Sequence, residues 1–216
     1  MATRLVILDC DGVLVDSEPI SCGILADMAT ELGWPMDRAE AIARFKGKAQ
    51  PRIWAAISEH LGRALPDDVE PRFRATQFAR LRSECQVVPG AGELLDGLEG
   101  QGMPYCVASN GPHNKMRVTL GGAALLERFE GRIFSREDVQ NPKPAPDLFL
   151  HAARALGAEP AETVVVEDSP LGVQAARAAG MRVLGFTGTA PEERTRLEQA
   201  GAEAILERLT HVLDRL

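Results

Sequence analysis

The run LVILDCDGVLVDSEP, Leu5 to Pro19, decides how this chain is read. Four apolar residues lead directly into Asp9, and Asp11 follows after a single cysteine. A short run that is apolar on both faces suits a strand buried in a parallel sheet. Burying an unpaired carboxylate costs several kcal/mol or shifts its pKa until it neutralises, so something must compensate for Asp9 and Asp11. Their i, i+2 spacing places both on one face with Cys10 pointing away, and Gly12 then permits a sharp turn. Two readings follow. Asp9 ends the strand and Asp11-Gly12 makes a turn, or the two carboxylates hold a hard divalent ion such as Mg²⁺, with waters and a substrate phosphate completing its shell.

Working outward, Tyr105 to Ala108, Arg132 to Phe134, Thr163 to Val166 and Arg182 to Phe186 also read as short strands, each followed by a helical pattern. This is the signature of an α/β fold, a parallel Rossmann-like sheet covered by helices on both faces. One region breaks the alternation. From Ser17 to Cys85 the spacing predicts helices only, the first ending at Gly33, the second capped by Asp37 and Glu40, the third closed by Gly62 and the fourth carrying Val69, Phe73 and Leu81. The expected organisation is a core domain of residues 1–15 and 87–216 with an inserted helical cap over 16–86. Its two tethers would let it open and close as a lid.

Bulk properties exclude several classes. The chain has 216 residues and a formal net charge of −7, which argues against a nucleic-acid binder. No apolar run approaches a membrane span, and Arg4 is followed by too short an apolar stretch for a signal peptide. Cys10, Cys22, Cys85 and Cys106 are scattered, as expected of reduced thiols in a cytoplasmic protein, and the histidines are too dispersed to suggest zinc. The expectation is a cytoplasmic protein, monomeric or weakly oligomeric, whose partner is a small molecule.

In a parallel sheet the carboxyl ends of the strands bind the ligand. Asp9 and Asp11, then Ser109-Asn110-Gly111, then Glu167-Asp168-Ser169 would gather at that edge, with Lys143 of NPKPAPD in a nearby loop. Ser109 and Asn110 precede Pro112, a favoured first helical residue, and so read as a helix cap, as a phosphate site on the helix N-terminus, or as both. Lys143, flanked by Pro142 and Pro144, reads by itself as a solvated loop charge. VVVEDS repeats the opening pattern of an apolar strand running into two acids, although Asp168 or Ser169 could equally cap a helix starting at Pro170.

The ordered set DCDGVLVDS, SNG, KPAPD and VVVEDS closely resembles the haloacid dehalogenase superfamily of phosphohydrolases, over essentially the whole chain. The insertion after the first motif resembles the subgroup with a helical cap. The resemblance implies that Asp9 is the nucleophile that forms a phosphoaspartyl enzyme, and that Asp11 is the general acid and base. It implies a Mg²⁺ site built from the Asp9 carboxylate, the Asp11 backbone carbonyl and Asp168, with Glu167 in the outer shell or as an alternate ligand. Ser109, the Asn110 amide and Lys143 would bind the phosphoryl oxygens. An acid at the position of Asp11 favours phosphate-ester or phosphomutase chemistry over dehalogenation. β-Phosphoglucomutases are similar, but carry a histidine where this chain has Ser21. RFKG and SNGPHNKM resemble stretches of bacterial 6-phosphogluconate phosphatases, which implies that Arg44, Lys46 and Lys48 place positive charge near the substrate's polar tail.

Two other classes are set aside on the residues. GAGELL at Gly90 has Leu95 where a dinucleotide fingerprint needs glycine, and no G-x-S-x-G is present for a serine hydrolase. A non-catalytic phosphometabolite sensor on the same fold would not need both Asp9 and Asp11.

Overall fold

In a computed structural model that describes every residue except Met1, Lys46, Gly47, Ala49 and Thr189, the opening run forms β1 (Leu5–Leu8), fully buried on both faces. The chain then folds back, with the Leu14 and Val15 amides both donating to the Cys10 carbonyl, and leaves through β2 (Val15–Asp16). The helices α1 (Glu18–Leu32), α2 (Arg38–Phe45), α3 (Gln50–Leu61) and α4 (Val69–Glu84) follow. Next, β3 (Gln86–Val87) pairs antiparallel with β2. Alternation then begins with α5 (Ala91–Gly100), β4 (Tyr105–Ser109), α6 (His113–Gly122) and β5 (Ile133–Ser135). It continues through α7 (Asp147–Ala155), β6 (Thr163–Glu167), α8 (Pro170–Ala178), β7 (Arg182–Phe186), α9 (Arg194–Ala200) and β8 (Ala204–Leu206).

The chain divides into two compact units, Met1–Asp16 with Gln86–Leu216, and Ser17–Cys85. In the first, the strands form a parallel sheet in the order β5-β4-β1-β6-β7-β8. β1 therefore sits between β4 and β6, and these three strands end in the three polar clusters. The alternation of side chains sorts the sheet into two faces. Leu5, Ile7, Cys106, Ala108, Val165 and Val183 share one apolar core with Phe149 of α7, Val173 of α8 and Leu197 of α9. Val6, Leu8, Val107, Val164 and Val166, on the other face, are equally buried.

In the helical unit α1 packs against α2 and α4. α1 ends at Gly33, whose φ of 109° lies in the left-handed region that glycine tolerates, and the Glu40 amide donates to Asp37 Oδ1 at 2.8 Å to start α2. Trp34 stacks on His60 with ring centroids 3.9 Å apart and meets the edge of Phe45 at 6.1 Å.

Three local expectations change. β5 is shifted one residue, to end on Ser135. Pro112 is the cap of α6, not its first residue, and its side chain offers no acceptor. The turn at Arg136–Asp138 compensates: Glu137 Oε2 accepts the His113 amide at 2.9 Å, and Asp138 Oδ1 lies 2.8 Å from His113 Nε2. The strands β2, β3 and β8, which the residue pattern does not announce, complete the topology. Among the described residues no helix is long and apolar enough to cross a membrane.

Because Ile7 lies fully buried in the central strand, Ile7→Ala should remove about 3 kcal/mol of stability, read as a lower urea midpoint. A loss below about 1 kcal/mol would contradict this placement.

Candidate active site

Strand parity builds the centre of the site. Asp9 lies two residues beyond Ile7 and Glu167 two beyond Val165, so both project on the face covered by α7 and α8. Lys143 meets them there. Its Nζ donates to Asp9 Oδ1 at 2.7 Å, to Glu167 Oε1 at 2.5 Å and to the Ala108 carbonyl at 2.8 Å, and lies 4.6 Å from the centre of the Phe149 ring. The loop lysine that reads as solvated is in fact buried, 5% exposed. Asn110 holds it there: its side chain accepts the Lys143 amide at 3.0 Å and donates to the Lys143 carbonyl at 3.1 Å. One Asn110 side-chain N–H and its carbonyl oxygen are thereby committed to the Lys143 backbone. Ser109 Oγ accepts the Gly111 amide at 3.1 Å, so it caps this turn and not the helix.

Glu167 is held from its other oxygen, where Oε2 accepts the Ser169 amide at 3.1 Å and the Ser169 hydroxyl at 2.9 Å. Ser169 Oγ in turn accepts the Gly172 amide at 3.1 Å and so caps α8. Two glycines are required by close approach. A Cβ on Gly172 would overlap the Glu167 carboxylate, and a Cβ on Gly12, whose φ is 90°, would overlap that of Asp168. Asp9, Glu167 and Asp168 each offer a carboxylate oxygen within 4.8 Å of the others, an arrangement that can hold a metal ion. Burial raises the Asp9 carboxyl to about 7, with Lys143 opposing the rise and Glu167 and Asp11 adding to it.

Asp11 departs from the one-face expectation. β1 ends at Leu8, the backbone turns at Cys10 to Gly12, and strand alternation no longer applies. Cys10 Sγ lies 3.8 Å from the Thr119 hydroxyl of α6. The Asp11 carboxylate lies outside the three-oxygen cluster and is met by Lys115 of α6, with Nζ donating to Oδ2 at 2.7 Å. Burial works against the Lys115 charge, but Asp11 raises the ammonium above its ordinary range.

Lys115 is the residue that motif reading misses, although a signal was present. It is a cation in the first turn of a helix, where the macrodipole disfavours positive charge by about 0.3–1 kcal/mol. Such local conflicts concentrate at functional sites. With it, four carboxylates face two ammonium groups. When all are ionised, the balance is two negative charges, matching one divalent cation.

The expected specificity residues belong to the helical unit. The Arg44 guanidinium donates to Glu40 at 2.8 Å and lies 5.2 Å from the Trp34 ring centre, Lys48 is exposed, and Lys46 falls outside the described residues. Ser21 Oγ donates to the Ser17 carbonyl at 3.2 Å and accepts from the buried Gln77 amide at 2.8 Å, tying α1 to α4.

Residues 3–180 match the haloacid dehalogenase-like hydrolase family. The chain is 38% identical over 182 residues to the 6-phosphogluconate phosphatase of Escherichia coli, covering 84% of this chain and 81% of that one. Its fold superposes on a haloacid dehalogenase-like protein from Agrobacterium tumefaciens with a TM-score of 0.86, 34% identity, and coverage of 99% and 97% of the two chains. It also superposes on a hydrolase of this family from Deinococcus radiodurans, solved with bound phosphate and sodium, with a TM-score of 0.82, 30% identity, and coverage of 97% and 93%. A buried aspartate bonded to a buried lysine at the carboxyl edge of a parallel sheet, beside a carboxylate cluster, is thus found in a chain that belongs to the haloacid dehalogenase-like hydrolases.

Proposed function

We propose that this chain is a Mg²⁺-dependent phosphatase of small phosphorylated sugars or sugar acids, working through a phosphoaspartate on Asp9, with 6-phosphogluconate as its best-matched substrate. The observation that carries this reading is the buried Asp9–Lys143 contact at the ends of the central strands. Asp9 attacks phosphorus, the bond from phosphorus to the leaving oxygen breaks, and Asp11, which enters this step protonated, gives that oxygen its proton. A water then attacks the phosphoaspartate, Asp11 takes the water's proton, and the bond between Asp9 and phosphorus breaks. Lys143 neutralises charge between nucleophile and phosphate, and the backbone N–H of Asn110 with Ser109 orients the phosphoryl oxygens.

The Asp9 and Asp168 carboxylates and the Asp11 carbonyl would hold the Mg²⁺, with Glu167 braced behind them by Lys143 and Ser169. When bound, the ion supplies positive charge that offsets repulsion between the carboxylate and a phosphate dianion. The net negative charge of the side chains and the crowding of Asp168 against Gly12 support this fit. Phosphatase chemistry is favoured over the mutase because Ser21, at the mutase histidine position, is engaged with Ser17 and Gln77. Both Asp9 and Asp11 are retained, which favours catalysis over sensing. Lys46 and Lys48 are assigned to the substrate's acidic tail, and Arg44, already engaged with Glu40 and Trp34, to that role only in part.

The test is phosphate release from 6-phosphogluconate, hexose and pentose phosphates, phosphoglycolate and nucleotides, with Mg²⁺ or EDTA. Metal-dependent release led by 6-phosphogluconate is expected, with none from a folded Asp9→Asn variant. Release unaffected by EDTA or by Asp9→Asn would refute the mechanism, and preference for another ester would refute the substrate. Mg²⁺ alone should raise the Tm of the parent protein and leave that of Asp168→Asn unchanged. Equal shifts in both would remove Asp168 from the metal site.

A further inference from the structure

We propose that Lys115 is a positioning residue that aims the Asp11 carboxylate at the leaving oxygen and keeps it out of the metal cluster; this rests on the phosphatase reading above. The contact is short, 2.7 Å, and the two side chains are 20% and 21% exposed, so the pair is partly shielded from solvent. α6 is anchored at its start by Glu137 and Asp138 and buries Met116, Thr119 and Leu120 within the next two turns. Asp11 Oδ2, the atom Lys115 engages, lies toward the Ser109–Gly111 turn, 3.9 Å from where a Cβ on Gly111 would stand. The carboxylate is thus directed to the side where the phosphoryl group is expected, while Asp9, Glu167 and Asp168 converge without it. Lys143 restrains the nucleophile, and Lys115 restrains the acid and base.

The first half-reaction separates this role from a merely structural one. As the phosphorus–oxygen bond breaks, an alkoxide leaving group needs the proton from Asp11, whereas p-nitrophenolate departs as a stable anion. The ratio kcat/KM reports steps up to that departure and is blind to later hydrolysis. Lys115→Met should lower kcat/KM for an alkyl phosphate about 100-fold, the scale of a small misplacement of a catalytic group, and for p-nitrophenyl phosphate by no more than about threefold. Lys115→Arg should recover most of the loss. In an Asp11→Asn background, Lys115→Met should add nothing. Equal losses on the two esters, no loss on either, or a further tenfold loss in the Asp11→Asn background would each overturn the assignment. A parent protein inactive on both esters would refute the phosphatase reading, and this role with it.

Discussion

Lys143 reaches from a loop into the interior and bonds Asp9, Glu167 and the Ala108 carbonyl, so that carboxylates can sit at the buried ends of two adjacent strands. Without that ammonium group, Asp9 and Glu167 would be like charges in a low-dielectric setting, and removing one member of such a buried pair typically costs about 3–5 kcal/mol. The lysine depends on supports that come from elsewhere in the chain. Asn110 holds its backbone from the end of β4, Phe149 of α7 lies under its ammonium group, and Ser169 holds the far side of Glu167 from the start of α8. Each support enters from a different crossover, so the parallel order of the sheet is what brings them together.

The core of the fold was legible because parallel strands buried on both faces leave an unambiguous trace. The runs at Leu5, Tyr105, Thr163 and Arg182 are apolar at successive positions and short, which no surface helix tolerates. β8 escaped because Ala204, Ile205 and Leu206 lie among glutamate, alanine and leucine, whose intrinsic preference is helical; pairing with β7 overrides it. The β2–β3 ribbon escaped for another reason, since its strands are two residues long and their partners lie far apart in sequence.

In the site, motif order identified the acids and local geometry decided their partners. Lys143 reads as a loop charge because burial is a tertiary property, invisible in NPKPAPD. Asn110 reads as a cap or an anion ligand, and only the structure shows its side chain clasping Lys143. Asp9 and Asp11 read as neighbours on one face, but the chain turns between Cys10 and Gly12, and each carboxylate acquires its own ammonium partner. The one clue to the second partner was electrostatic, a lysine at the positive end of α6.

The proposed mechanism requires that phosphorus pass to Asp9 and to no other residue. Acid quench during turnover of a phosphate ester with Mg²⁺, followed by reduction with tritiated borohydride, which turns an aspartyl phosphate into homoserine and releases phosphate, and then peptide mapping, tests it directly. Tritium is expected in homoserine in place of Asp9, on the peptide that carries that residue. Turnover with no trapped label, or label on any other side chain, would contradict it.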